Sequence, residues 1–129
     1  MEIITVVVII GIMATFAIPN YTISIERAHR KDATQNLIAV HTANEIYQAN
    51  EGSYWPTSGG WNDLAAINTN LRLSIIDNGS EYRCRKTGPN YNCQACRPQC
   101  TGHRFTVAVN QNPISSTNPS CTNGAASCP

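Results

Sequence analysis

Charge is scarce in this chain, and over one stretch it is missing altogether. Lys, Arg, Asp and Glu make up 13% of 129 residues, yet the mean hydropathy lies slightly below zero. The apolar residues must therefore be concentrated. They are gathered between Ile3 and Ile18 (IITVVVIIGIMATFAI), 16 residues with no charge, whose only polar side chains are Thr5 and Thr15. Cysteine is absent from the first 83 residues; all six (Cys84, Cys93, Cys96, Cys100, Cys121 and Cys128) fall between residues 84 and 128. No P-loop, nucleophile elbow or usefully spaced carboxylate pair occurs, and His29, His41 and His103 are scattered. These absences remove the usual signatures of catalysis, and the chain is read as no enzyme.

The apolar run lacks what a secretory signal needs. Met1 is followed by an acid, Glu2, where a basic region is required, and the run ends in Ile18-Pro19-Asn20-Tyr21 rather than in small residues. As a helix it would rise about 24 Å, short of the roughly 20 residues of a comfortable membrane span. A helix buried on all sides would need more chain than is present. Two readings remain: an ordinary membrane anchor, and a helix that sits first in a membrane and later in a bundle of like helices. Glu2 bears on the choice. A desolvated carboxylate without a partner costs several kcal/mol, is tolerable at a helix N-terminus, and becomes useful if it pairs with a positive group on a neighbouring copy. The bland alternative is an acid resting at headgroup level.

The stretch MEIITVVVIIGIMATFAIPNY resembles the N-terminal segment of type IV pilins and pseudopilins. In that family an acid precedes a β-branched run, followed by Gly, small residues and a Pro. Glu2, Gly11, Ala14, Ala17, Pro19 and Tyr21 match in register without a gap, with Pro19 17 positions after Glu2. The match covers Met1 to Tyr21; beyond it only the general plan agrees. The family's basic leader ending in Gly and its following Phe are absent. The sequence is thus expected to begin a few residues inside the mature end, and processing by a prepilin peptidase and N-methylation are implied by the resemblance alone.

The resemblance implies a structural subunit, foremost a major pilin, with no cofactor or metal. It would be held in the bacterial inner membrane and then polymerised into an extracellular filament (a fimbrium) by a separate assembly machinery. Glu2 would pair with a neighbouring subunit's N-terminus, Gly11 and Ala14 would permit close helix approach, and Pro19 would close a stretch, from Gly11, that is kinked or melted. Such filaments serve adhesion, motility, DNA uptake and secretion. Long-range conduction gains no support, since the helix carries only Phe16, Tyr21 and Tyr47 as aromatics. Two alternatives stand beside the major pilin. One is a pseudopilin or minor pilin of a type II secretion-like system, although Asp63, Asp77 and Glu81 do not make the calcium site that major pseudopilins often carry. The other is a membrane-anchored, cysteine-rich binding domain that never polymerises.

The expected fold is α+β: a long N-terminal helix packed on a small antiparallel sheet, with disulfide-stapled loops. Three segments follow: 1–20, a hydrophobic transmembrane or filament-core helix; 21–51, its amphipathic continuation; and 52–129, a small β head. Ala33, Leu37, Val40, Ala43 and Tyr47 recur at helical spacing and predict the face that meets the sheet. Gly52 is a natural stop. Glu26, Arg27, Arg30, Lys31 and Asp32 form a mixed-charge group, either solvated or offering ion pairs between subunits. In the head, Asn62 or Asp63 caps a short helix through Leu64 and Ile67. About three strands are expected, from the alternation of Leu71, Leu73 and Ile75, from 81–86 and from 104–110, with Asn78-Gly79 as a turn. The tail from Gln111 reads as loop.

Six clustered cysteines in a polar head point to disulfides and an oxidising compartment. Six allow 15 pairings; Cys121 with Cys128 is preferred, the other four pairing among themselves. Cys93, Cys96 and Cys100 also admit a zinc reading with His103, against which the even disulfide set weighs. Arg97 follows Cys96 where a c-type haem motif needs His, and the strand-to-helix setting of a redox C-x-x-C is missing. Between Glu81 and Arg104 there are five basic residues and one acid, against four and seven elsewhere. Arg83, Arg85, Lys86, Arg97 and Arg104 therefore form a candidate anion or DNA patch, with Tyr82 and Tyr91 available for stacking; such a patch more often meets acids of the next subunit or is simply solvated. Ser115, Ser116, Thr117, Ser120 and Thr122 would suit O-glycans, and Asn78-Gly79-Ser80 an N-glycan.

Overall fold

The computed structural model describes residues 2–102 and 105–122, without the side chains of Glu2 and residues 16–20. One helix, α1 (Glu2–Glu51), accounts for the first 50 residues and would extend about 75 Å at 1.5 Å per residue. A short helix α2 (Leu64–Leu71) follows, then four strands: β1 (Glu81–Thr87), β2 (Asn90–Arg97), β3 (Phe105–Asn110) and β4 (Ser120–Thr122). The strands pair antiparallel in the order β1-β2-β3-β4. The fold is α+β as expected, with a meander of four strands rather than about three.

Period-2 alternation gives the sheet one apolar face. Tyr82 and Cys84, Tyr91, Cys93 and Ala95, and Phe105, Val107 and Val109 are all buried, while their strand neighbours, apart from buried Cys96, are partly or fully exposed. That face receives the second half of α1: Ala33, Leu37 and Val40 are fully buried, with Ala43 and Tyr47 packed at the margin. Ile67 and Leu71 of α2 close the core beside Trp55.

Directional bonds fix how the helix sits. The amide of fully buried Asn44 accepts from the backbone N–H of Trp55 at 2.8 Å and donates to its carbonyl at 2.6 Å. The loop after Gly52 is thereby folded back onto the helix it has just left. His41 Nδ1 lies 2.7 Å from the Tyr91 hydroxyl and 3.0 Å from the Asn110 carbonyl, and Asn36 donates to the Tyr82 hydroxyl at 2.9 Å. Apolar packing would tolerate a sliding helix; these groups, left unpaired, would each cost about 1–3 kcal/mol.

Local signals act where they were read, with three exceptions. Asp63 is the α2 N-cap, accepting from Ala66 N at 3.0 Å, and Gly52 (φ 75°) ends α1. Leu71 to Ile75, however, is no strand. Leu71 ends α2, Arg72 turns left-handed (φ 53°), and both backbone groups of Ile75 are taken by the Asn68 side chain at 2.8 and 3.0 Å. An asparagine amide thus stands in for a partner strand. The hairpin that starts the sheet, β1–β2, was not read: it turns at Gly88-Pro89, where Gly88 (φ 63°) takes the first central position of a two-residue loop. Asn78-Gly79 belongs to a tight turn in which Asp77 Oδ1 accepts from Gly79 N and Ser80 N. Third, β4 lies inside the tail read as loop, held by pairing of Cys121 with Val107.

Backbone helix also runs unbroken through Gly11 to Pro19, so the melted segment expected there is absent from the isolated chain. An interior proline costs a helix about 3 kcal/mol. A 50-residue helix absorbs that when no neighbouring molecule offers its backbone anything better.

Leu37→Ala is expected to lower head stability by about 2–5 kcal/mol in guanidinium unfolding of the full chain. Ile46→Ala, at a side chain 60% exposed, should change it by less than about 0.5 kcal/mol.

Candidate functional site

The two halves of α1 live in different surroundings. From Ile3 to Met13 every large apolar side chain is at least half exposed, and residues 21–24 are exposed as well. This half is apolar on all sides rather than along one stripe, the pattern of a helix whose burial comes from other molecules. Fully burying a Val or Ile side chain contributes about 1.5–3 kcal/mol. Covering the eight such residues and Met13 would release on the order of 10–20 kcal/mol. Among the described residues no helix is long and apolar enough to cross a membrane.

Small residues in this half serve no purpose within the subunit. A Cβ added to Gly11 would meet nothing within 4 Å, and Ala14 is exposed. Gly in a helix costs about 0.5–1 kcal/mol relative to Ala, and here no neighbour in the same chain requires the missing methyl. Thr15 returns its hydroxyl to the Gly11 carbonyl at 2.8 Å, a back-bond that satisfies the polar group inside the helix. Pro19 carries no N–H, so the Thr15 carbonyl four residues earlier loses its helical donor. The side chain of Glu2, the proposed pairing group, lies outside the described residues.

The mixed-charge group divides between head and solvent. Glu26 meets Arg97 Nε at 4.0 Å, Asp32 accepts from Asn78 at 3.2 Å, and the Arg30 guanidinium lies 5.5 Å from the centre of the Phe105 ring. Arg27 and Lys31 point outward. The Glu26–Arg97 contact, about a quarter exposed at both ends, contributes about 0–1 kcal/mol; it orients the helix more than it holds it.

The cysteines form cross-links rather than a metal centre. Cys84 is bonded to Cys93, directly opposite across β1 and β2, and Cys96 to Cys100. Cys121 is disulfide-bonded too; the pairing expected with Cys128, like the His103 of the zinc reading, lies outside the described residues. Zinc ligation by Cys93, Cys96 and Cys100 is overturned, because all three sulfurs are consumed in disulfides. Loops of nine and four residues are short, and chain entropy assigns such bridges about 2–3 kcal/mol each.

The five-residue basic patch does not assemble as one surface. Arg83 and Arg85 stand together on the outer face of the sheet, their guanidinium carbons 4.2 and 4.7 Å from the Trp61 ring centre. Lys86 donates to the Thr57 carbonyl and Arg97 to the Asn78 carbonyl; Arg104 lies outside the described residues. Tyr82 and Tyr91, offered for base stacking, are 2% and 1% exposed on the opposite face. A run of alternating residues at 81–86 already placed Arg83 and Arg85 opposite Tyr82; Trp61 was missed because only a lone bridge, Asn62 with Cys84, brings it there. A shallow recess of about 360 Å³ between α1 and α2 has Glu51 and Arg72 as its charged groups and brings no nucleophile and base together.

Burial raises the phenol pKa values of Tyr82, Tyr91 and Tyr54, with the Glu45 carboxylate adding to the effect at Tyr91 and Tyr54. At Tyr82 the hydrogen bond from Asn36 offsets part of the shift. A phenol raised in the folded state loses its proton first from the unfolded chain. Stability is therefore full below about pH 10 and falls as pH rises beyond it. Urea titrations followed by near-ultraviolet circular dichroism should show this alkaline loss, with a shallower slope in Tyr91→Phe; equal slopes would contradict the assignment.

No family model matches the chain, and no solved structure matches it significantly. Two curated relatives do. Type II secretion system core protein G of Vibrio cholerae is 33% identical over 70 residues, 54% of this chain and 48% of the relative. The protein of the same description from Escherichia coli K12 is 30% identical over 82 residues, 64% of this chain and 57% of the relative. The chain thus spans about half the length of the curated relatives it matches. In its N-terminal signature, its long helix seated on an antiparallel sheet and these relatives, the chain is similar to the type IV pilin and pseudopilin family.

Proposed function

We propose that the chain is a structural subunit, not an enzyme, that polymerises into a pilin-like helical filament through the first half of α1. The observation that carries this reading is the fully apolar, uncovered helix from Ile3 to Met13, containing a glycine whose missing Cβ nothing in the subunit needs. In the assembly these segments bundle at the centre and the heads face outward. Before assembly the same segment is held by the inner membrane. Burial drives the transfer, and Glu2 sets the register by meeting the positive N-terminus of the next subunit. The assembly machinery and a prepilin peptidase are its partners by family.

The relatives favour a pseudopilin role within a type II secretion-like system. The major type IV pilin remains the second reading. It is supported by the engagement of the head's acids: Asp63 caps α2, Asp77 holds the turn at Gly79, and Glu81 accepts from Cys100 N at 2.9 Å. Each of the three thus already serves a structural role in the head. Sheared cell surfaces distinguish the roles by electron microscopy: filaments at native expression mark a pilus, and loss of protein secretion on deletion, without surface filaments, marks a pseudopilin.

Glu2→Ala should leave the subunit in the membrane fraction and reduce filament yield at least tenfold, scored by pelleting and electron microscopy. Normal yield from that variant would refute the pairing role.

A further inference from the structure

The outer face of the sheet is not used by the fold. Cross-strand pairing places Arg83 beside Gln94 and Arg85 beside Asn92, followed by Ala108 and Ser120 on the next strands. The lone bridge between Asn62 and Cys84, with reciprocal backbone bonds of 2.8 and 2.9 Å, puts Trp61 opposite Arg85 and diagonal to Arg83. Cross-strand neighbours on one face interact in this way, and the indole accordingly lies against both guanidinium groups. Trp61 as a residue remains 42% exposed. Gln94, with its amide oxygen turned to Arg83, accepts from Nε and Nη2 at 2.6 Å. That holds one guanidinium in place and uses two of its five N–H donors.

We propose that this Trp61–Arg83–Arg85 cluster binds an acidic polysaccharide, one with carboxylates on its sugar rings. Planar guanidinium groups suit carboxylates through paired hydrogen bonds. An exposed indole offers a flat apolar surface to the C–H face of a sugar, and the adjoining Asn92, Gln94 and Ser120 supply uncharged donors and acceptors for hydroxyls.

Two other occupants are disfavoured by charge and shape. A second copy would have to bring a free acid. Among the described residues, Glu26, Asp32, Asp63, Asp77 and Glu81 are each engaged by a cation, a side-chain amide or backbone N–H groups. Glu45 has one carboxylate oxygen enclosed, which leaves Glu51. Single-stranded nucleic acid is usually held on successive stacking rings along a basic groove. Here the face carries one ring, and the tyrosines lie beneath the sheet. The proposal does not depend on whether the chain serves a pilus or a secretion system.

The test uses the full chain in detergent and polygalacturonate as probe, with dextran and oligo-dT as comparators. Trp61 emission reports binding, since Trp55 is buried. Saturable binding to polygalacturonate that weakens with salt is expected, with no response to dextran. Arg83→Gln/Arg85→Gln and Trp61→Leu, the latter read by co-sedimentation, should each weaken binding at least tenfold. Lys31→Gln, at an exposed cation on α1, should not. Near-ultraviolet dichroism identifies any variant that fails to fold, and Arg83→Lys/Arg85→Lys then serves in place of the glutamine pair. The proposal is overturned if dextran binds equally, if oligo-dT binds more tightly, or if folded arginine variants bind as the parent does. It is equally overturned if those variants lose filament formation and keep polysaccharide binding, which would make this face a subunit contact.

Discussion

The seating of residues 33–44 of α1 on the sheet is the constraint from which the rest follows. Ala33, Leu37 and Val40 supply the burial, but burial alone does not specify a position along a helix. Asn36, His41 and Asn44 do, because each reaches polar partners at fixed positions: the Tyr82 hydroxyl, the Tyr91 hydroxyl with the Asn110 carbonyl, and the Trp55 backbone. With this segment locked to the head, the first half of the same helix is carried outward as a rigid extension and has no surface of its own chain to meet.

Division of one helix into a seated half and an uncovered half gives the molecule its logic. The head gains definition from short cross-links: a buried disulfide directly across β1 and β2 and a second closing the loop after β2. The extension gains nothing from the head and remains apolar throughout, a liability in water and an advantage in a membrane or a bundle. An unbroken helix at Gly11 to Pro19 fits the same picture. The weak points are encoded in the glycine and in the carbonyl left without a donor by Pro19, and only neighbours could draw them out of helical geometry.

Much of this was legible in the sequence where one residue determines one feature. Glycine at 52, aspartate at 63 and the alternation of Phe105, Val107 and Val109 declared a helix end, a cap and a buried strand face. Strand β2 was harder, because Cys93, Cys96, Asn90, Asn92 and Gln94 carry little strand preference of their own and are held by neighbours on both sides. Leu71, Leu73 and Ile75 alternated persuasively, yet a single side chain, Asn68, occupied the backbone groups a strand would have needed. The basic cluster was visible as composition, but which arginines share a face depended on strand parity, and the arrival of Trp61 depended on a bridge spanning 22 residues. Local rules see none of these distant pairings.

The central claim is that head stability and assembly reside in separate halves of α1. Comparing the full chain with one lacking residues 1–22, by guanidinium unfolding and by sedimentation velocity, tests it most directly. The account predicts unfolding midpoints that coincide and a truncated chain that stays monomeric where the full chain associates. A truncated head that no longer folds, or one that still forms filaments, would contradict it.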